Sequence, residues 1–241
     1  MQADFGLIGG TGVGERLAAL GGSPLHVPTP FGLMRGRQLE LGGRKVVVVA
    51  RHSLGHKTPP HLVNYRANAV GLALLGVGVC IGTAAVGALR EDLAPGSFVL
   101  CSDFIDLTGR GLTLFDREVR HTDFSQPFGE RPRQALLMAC DMSGVPVHAS
   151  GVYVGTNGPR YETPAEVAAA ARLGGDVIGM TATSEAICMR EAGVEYACLA
   201  IVTNLATGLA RGALSHEEVE AQMKSAGELA TKVLCNAVAL L

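Results

Sequence analysis

The sequence predicts an α/β layered domain with a largely parallel or mixed sheet. Short apolar runs rich in β-branched residues alternate with helical patterns, which is the signature of strands and helices in separate layers. No Pro/Ser-rich linker and no internal repeat divides the chain, so one domain is expected. A hydrophobic content of 48% against 17% charge over 241 residues suits a large buried core.

Taken in order, the candidate strands are Phe5–Ile8, Val46–Ala50, Val77–Ile81, Ser97–Leu100, Gly151–Val154, Val177–Gly179 and Ala197–Thr203. Leu62–Leu75 reads as a helix entered through Pro59-Pro60, and Arg131–Ser143 as one entered through Pro127-Phe128-Gly129. Pro164–Leu173 has Thr163 as its N-cap, because a threonine hydroxyl accepts from a free first-turn N–H. Thr183–Ala192 and His216–Leu240 complete the helices. Ser215 caps the last, with Glu217 and Glu218 well placed in its positive first turn.

The net charge of −2 argues against nucleic acid or an anionic membrane as main partner, so any anion site must be local. Cys80, Cys101, Cys140, Cys188, Cys198 and Cys235 are scattered without a C-x-x-C and read as reduced core residues of a cytoplasmic protein. The first residues lack the basic and apolar regions of a signal peptide. The apolar runs are short and glycine-broken, so no transmembrane helix is expected.

Polar residues stand where apolar runs end. Gly9-Gly10-Thr11-Gly12 follows the first run, and its N–H groups and hydroxyl suit an anion, although a plain strand-to-loop turn fits as well. The dinucleotide fingerprint fails because Glu15 stands where its third glycine is required. Arg51 and His52 end the second run, where a guanidinium either holds an anion with two bonds or meets a carboxylate in a salt bridge. His52, His56 and His61 lack the helix and the acidic or cysteine neighbours a metal site would need, so no metal is expected. Gly179-Met180-Thr181 and Thr203-Asn204 end two further runs in the same way. Ligands of parallel sheets collect beyond the carboxyl ends of strands, and four polar ends suggest a single site. Gly158-Pro159-Arg160-Tyr161-Glu162-Thr163 adds an aromatic face beside a carboxylate, a pair that suits a purine and equally fits a turn into the next helix.

These motifs, with Asn64-Tyr65-Arg66-Ala67-Asn68, resemble those of the purine nucleoside phosphorylase and methylthioadenosine phosphorylase family in order along nearly the whole chain. The resemblance implies a three-layer α/β/α domain around a mixed, partly barrel-like sheet, assembled as a homotrimer or a dimer of trimers. It implies that Thr11, Arg51, His52 and Thr181 bind phosphate with the backbone of Ala84–Ala85, and that Met180 lies under the ribose. Tyr161 would stack on the base, with Glu162, Asn204 and Ala206 at its edge, and His121 would reach into a neighbouring subunit's site. The catalytic roles fall to Asn204, Glu162 and His52. Phosphate is itself the nucleophile and co-substrate, so neither cofactor nor metal is implied.

The adenine-specific branch resembles Thr-Asp-x-Asp where this chain has Thr203-Asn204-Leu205-Ala206. A 6-oxopurine shows an N–H at N1 and an acceptor at C6, matching Glu162 as acceptor and Asn204 as donor. Inosine or guanosine is therefore the expected substrate. His216 in Ser215-His216-Glu217-Glu218 resembles a segment that meets the ribose 5′-hydroxyl, although a solvated first-turn residue also fits. The sister reading is 5′-methylthioinosine or 5′-methylthioadenosine. A nicotinamide oxidoreductase conflicts with the glycine spacing, and a non-catalytic purine-binding module would not need Arg51, His52 and Thr181.

Overall fold

A computed structural model of the chain describes residues 2–53, 55–209 and 216–241, side chains at 216 and 218 excepted. Among these residues nine strands form one sheet: β1 (Phe5–Gly9), β2 (Ser23–Thr29), β3 (Gly32–Leu41), β4 (Arg44–Ala50), β5 (Val79–Ala88), β6 (Phe98–Asp106), β7 (Val147–Gly155), β8 (Val177–Gly179) and β9 (Glu195–Leu205). The helices are α1 (Gly14–Ala19), α2 (Tyr65–Leu74), α3 (Glu130–Ser143), α4 (Pro164–Arg172), α5 (Ala182–Glu191) and α6 (His216–Leu240).

The sheet runs β2-β3-β4-β1-β5-β8-β7-β6-β9, and β9 pairs back onto β5, so five of the strands close into a barrel with β1–β4 as a wing. Helices cover both faces. Val46 and Val48 pack with α1, α3 and α6, while Val47 and Val49 pack with α2 and α5. That two-sided burial is why the central strands read as unbroken apolar runs. Val167 and Ala170 of α4 form a third cluster with Leu89, Val154, Ile178 and Ala206 at one end of the barrel. The three-layer, partly barrel-like arrangement expected from the resemblance is present.

Several boundaries differ from expectation. The helix read over Leu62–Leu75 begins only at Tyr65, after a 3-10 turn at Pro60–Leu62, because the Asn64 side chain accepts from Ala67 N at 3.0 Å and caps it there. The run read as Val77–Ile81 extends to Ala88, its later part carrying small residues paired with β9. The β2–β3 hairpin and α1 were not expected. Pro24 and Pro28 demote β2 on sequence, yet β2 is an edge strand where the lost N–H is harmless. Thr163 caps α4 as expected, within a reciprocal capping box with Glu166. The Ser215 cap lies outside the described residues.

Candidate active site

β1, β4, β5 and β9 run parallel and end together, while β8 enters from the opposite direction, meeting β5 only at Gly87–Ile178 and Ala88–Val177. Three of the four polar ends are thus carboxyl ends of parallel strands. Thr181 joins them because β8 is three residues long and gives way to α5 beside the end of β5. Together these ends wall a cavity of about 510 Å³, within the usual range for a small-molecule site. Thr11, Arg51, His52, Ala85, Tyr161, Glu162, Met180, Thr181, Asn204 and Ala206 all line it.

Of the two readings left open for Arg51, the structure shows the ion pair. Its guanidinium lines the cavity and is also held on Glu185 of α5, Nε to Oε1 at 2.5 Å and Nη2 to Oε2 at 2.7 Å. Nη1 donates to the Thr83 carbonyl at 2.8 Å. Burial works against the cation, but the charge and hydrogen bonds of Glu185 outweigh it and hold the pKa above the usual arginine value. The buried Tyr196 hydroxyl donates to Glu185 Oε2, and burial with that carboxylate's charge pushes its phenol pKa up. Three of five guanidinium donors are thereby committed, and two N–H groups remain. Gly10 is required beside this pair, since a Cβ there would come 2.5 Å from Arg51 Nη1 and 2.7 Å from Thr83 O.

The other end of the cavity carries the carboxylate and the amide. Glu162 is buried and accepts from Thr156 Oγ1 at 2.5 Å, and an ionised carboxylate keeps further acceptor capacity. Asn204 owes its direction to a bulge in β9: Val86 pairs with Val202 and Gly87 with Asn204, leaving Thr203 as the extra residue. Asn204 Oδ1 accepts from Thr203 Oγ1 at 2.8 Å and Nδ2 donates to Leu205 O at 2.9 Å, which leaves one amide N–H uncommitted. Nearer Arg51, His52 Nδ1 lies 2.9 Å from Thr58 O and its ring stacks on His56. Among the described residues no group of three or more His, Cys, Asp or Glu could hold a metal ion.

Ala84 and His121 do not line the cavity of this chain, which the roles expected of them, a backbone contact and a reach into a neighbouring subunit's site, do not require. Ala84 does not line the cavity: its side chain is buried in the core on the α2/α5 side, and Ala85 beside it faces the cavity. His121 is exposed and is not among the residues lining the cavity of its own chain. The side chain of His216 lies outside the described residues. Sequence reading missed His56, Lys57, Pro59, Pro60 and Val219 in the lining. The proximity of His56 and Lys57 to His52 was the available signal, whereas nothing local points to Val219 or Glu185.

Residues 4–239 match the family model of the phosphorylase superfamily. The chain is 40% identical over 246 residues to the 6-oxopurine nucleoside phosphorylase of Pyrococcus furiosus, covering 94% of this chain and 93% of that one. The chain belongs to the purine nucleoside and methylthioadenosine phosphorylase family. It is thus a nucleoside phosphorylase, a transferase, with relatives of more than one specificity. A probable S-methyl-5′-thioinosine phosphorylase of Methanothermobacter thermautotrophicus is 42% identical over 222 residues, 89% of this chain and 76% of that one. The solved methylthioadenosine phosphorylase of Schistosoma mansoni in complex with adenine superposes with a TM-score of 0.93 at 33% identity, covering 99% of this chain and 92% of that one. No helix among the described residues is long and apolar enough to cross a membrane.

Proposed function

We propose that this phosphorylase cleaves 6-oxopurine nucleosides, inosine and guanosine, to the free base and ribose 1-phosphate. The observation that carries this reading is the pairing at the base end of the cavity, a buried carboxylate on Glu162 with an amide N–H on Asn204 and no second carboxyl at Ala206. Such a pair accepts from a purine N1–H and donates to the rest of the base. Adenine has no N1–H, and leaving a buried acceptor unmatched costs on the order of 1–3 kcal/mol.

In the proposed reaction a phosphate oxygen bonds to the anomeric carbon as the bond from that carbon to the purine nitrogen breaks, through an oxocarbenium-like transition state. Phosphate rests on Thr11, Arg51, His52 and Thr181 with the backbone at Ala84–Ala85. Arg51 contributes directed N–H groups more than net charge, since Glu185 already balances it. Met180 supports the ribose, Tyr161 the base, and Glu162 and Asn204 stabilise charge on the departing purine. No cofactor is invoked. His121 would complete a neighbouring subunit's site in a homotrimer or dimer of trimers, and His216 would meet the 5′-hydroxyl.

One observation favours 5′-methylthioinosine as the second reading. Val219, one helical turn beyond His216, lines the cavity together with Pro59 and Pro60, an apolar wall suited to a methylthio group. The test is base release from inosine, guanosine, adenosine and both methylthio nucleosides, with and without phosphate. Inosine or guanosine should lead, and only with phosphate. Preference for 5′-methylthioinosine would transfer the proposal to the second reading, and preference for adenosine or 5′-methylthioadenosine would overturn the roles of Glu162 and Asn204. Asn204→Asp should shift the ratio toward 6-aminopurines; an unchanged ratio would remove Asn204 from base recognition.

A further inference from the structure

Arg110 stands in the segment between β6 and α3 and does not line the cavity, yet it ties its walls together. Nε donates to Asn157 Oδ1 at 2.9 Å, and Nη2 donates to the Asn157 carbonyl at 2.7 Å and the Met180 carbonyl at 3.0 Å. Nη1 donates to Ser184 Oγ at 2.7 Å. The guanidinium also lies 5.2 Å above the ring of Tyr65, whose hydroxyl donates to the Pro60 carbonyl at 2.7 Å. One side chain therefore links the loop leading to Tyr161 and Glu162, the strand end carrying Met180 and Thr181, and, through Tyr65, the Pro60 wall.

Two further observations point to geometry as the purpose of this arrangement. Ser184 lies in the first turn of α5, where a cation opposes the helix dipole, so Arg110 is not placed for the helix's benefit. At Gly158 (φ 65°), next to Asn157, a Cβ would collide with Met180 Sδ and crowd Pro60 Cγ at 3.0 Å. The loop, the Met180 side chain and Pro60 therefore come together at Gly158.

We propose that Arg110 is a positioning residue that sets the spacing between the Asn157–Glu162 loop and the Met180–Thr181 junction, and thereby orients the nucleoside over phosphate. This rests on the site assignments above. A planar guanidinium serves four acceptors in fixed directions, and a lysine ammonium at the same place cannot. Arg110 makes none of the hydrogen bonds that hold Arg51, so its influence on phosphate runs only through the Met180–Thr181 junction.

The experiment is steady-state kinetics of Arg110→Ala and Arg110→Lys with nucleoside and phosphate varied separately, alongside Glu162→Gln. Misplacing a reacting group by about 1 Å can cost ~100-fold, so kcat/KM for the nucleoside should fall on the order of 10–100-fold in Arg110→Ala. Phosphate KM should rise severalfold less than kcat/KM for the nucleoside falls, since of the phosphate residues only Thr181 lies at the junction that Arg110 holds. Added guanidinium should restore part of the loss in Arg110→Ala. A folded variant with unchanged nucleoside kinetics would overturn the inference, as would equal losses toward both substrates. If Arg110→Ala does not fold, Arg110→Lys carries the same two outcomes. An effect of Glu162→Gln on base preference without an effect of Arg110 would refute only this inference, while an inert Glu162→Gln would refute the site assignment beneath it.

Discussion

Replacing Glu185 by glutamine would expose what the buried pair beneath the cavity contributes. The side chains of Arg51 and Glu185 are 1% and 2% accessible, and the carboxylate meets two guanidinium N–H groups and the Tyr196 hydroxyl. Glutamine keeps the volume but offers one acceptor oxygen and turns an amide N–H₂ toward a cation. Removing one partner of a buried ion pair costs about 3–5 kcal/mol, because the other charge is left without compensation. For a chain of 150–250 residues each kcal/mol moves the melting temperature by about 2–4 °C, so Glu185→Gln should melt roughly 6–20 °C lower. Replacing both partners by methionine should recover most of that loss, since apolar residues of similar volume often substitute for buried pairs at no net cost. The same double variant should lose phosphorolysis through the missing guanidinium. Circular dichroism melts of the wild type, Arg51→Met, Glu185→Met and the double variant close the cycle. A drop below about 3 °C for Glu185→Gln, or a double variant as unstable as the single ones, would refute the burial and pairing described here.

Gly10→Ala should force its methyl against Arg51 Nη1 and the Thr83 carbonyl, neither of which can retreat. Overpacking of this kind costs about 1–3 kcal/mol, and phosphate KM should rise with it; wild-type melting and phosphate saturation would contradict the crowding. Alkaline titration offers a third test, because the chain has four tyrosines and no tryptophan. Burial raises the phenol pKa of Tyr65 to about 12 despite Arg110 nearby, and raises those of Tyr153 and Tyr196 as well. A raised folded-state value means the neutral phenol is favoured by folding. The stabilisation is therefore complete below the ordinary value of 10.0 and is lost as pH climbs through about 12 for Tyr65. Tyrosinate absorbance should show these three phenols ionising only at such high pH, together with unfolding. Ordinary titration of three or more tyrosines near pH 10.0 in folded protein would contradict their burial.

The layered α/β class, the two-sided strands and most helices followed from apolar periodicity, because burial on both faces leaves a local mark in composition. So did the polar strand ends, since Thr11, Arg51, Thr181 and Asn204 interrupt apolar runs where an ordinary core would not. The β2–β3 hairpin escaped because β2 carries two prolines and both strands bury few side chains, which removes the pattern that marks a strand.

What stayed closed to the sequence is what depends on residues far apart in the chain. Arg51 alone could have meant an anion site or an ion pair, and only tertiary packing brought Glu185, 134 residues away, onto its guanidinium while leaving it in the cavity wall. The bulge that aims Asn204 arises from ten paired positions along β5 and β9, not from Asn204's neighbours. Arg110 is one more surface-segment arginine until folding sets its acceptors, 47 to 74 residues away, around one plane. Local pattern determines which residues are buried and which chemistry is on hand. Directed polar contacts between distant segments decide which of those residues share a site and how they are aimed, because a hydrogen bond needs a partner at a defined distance and angle that no single stretch of chain supplies.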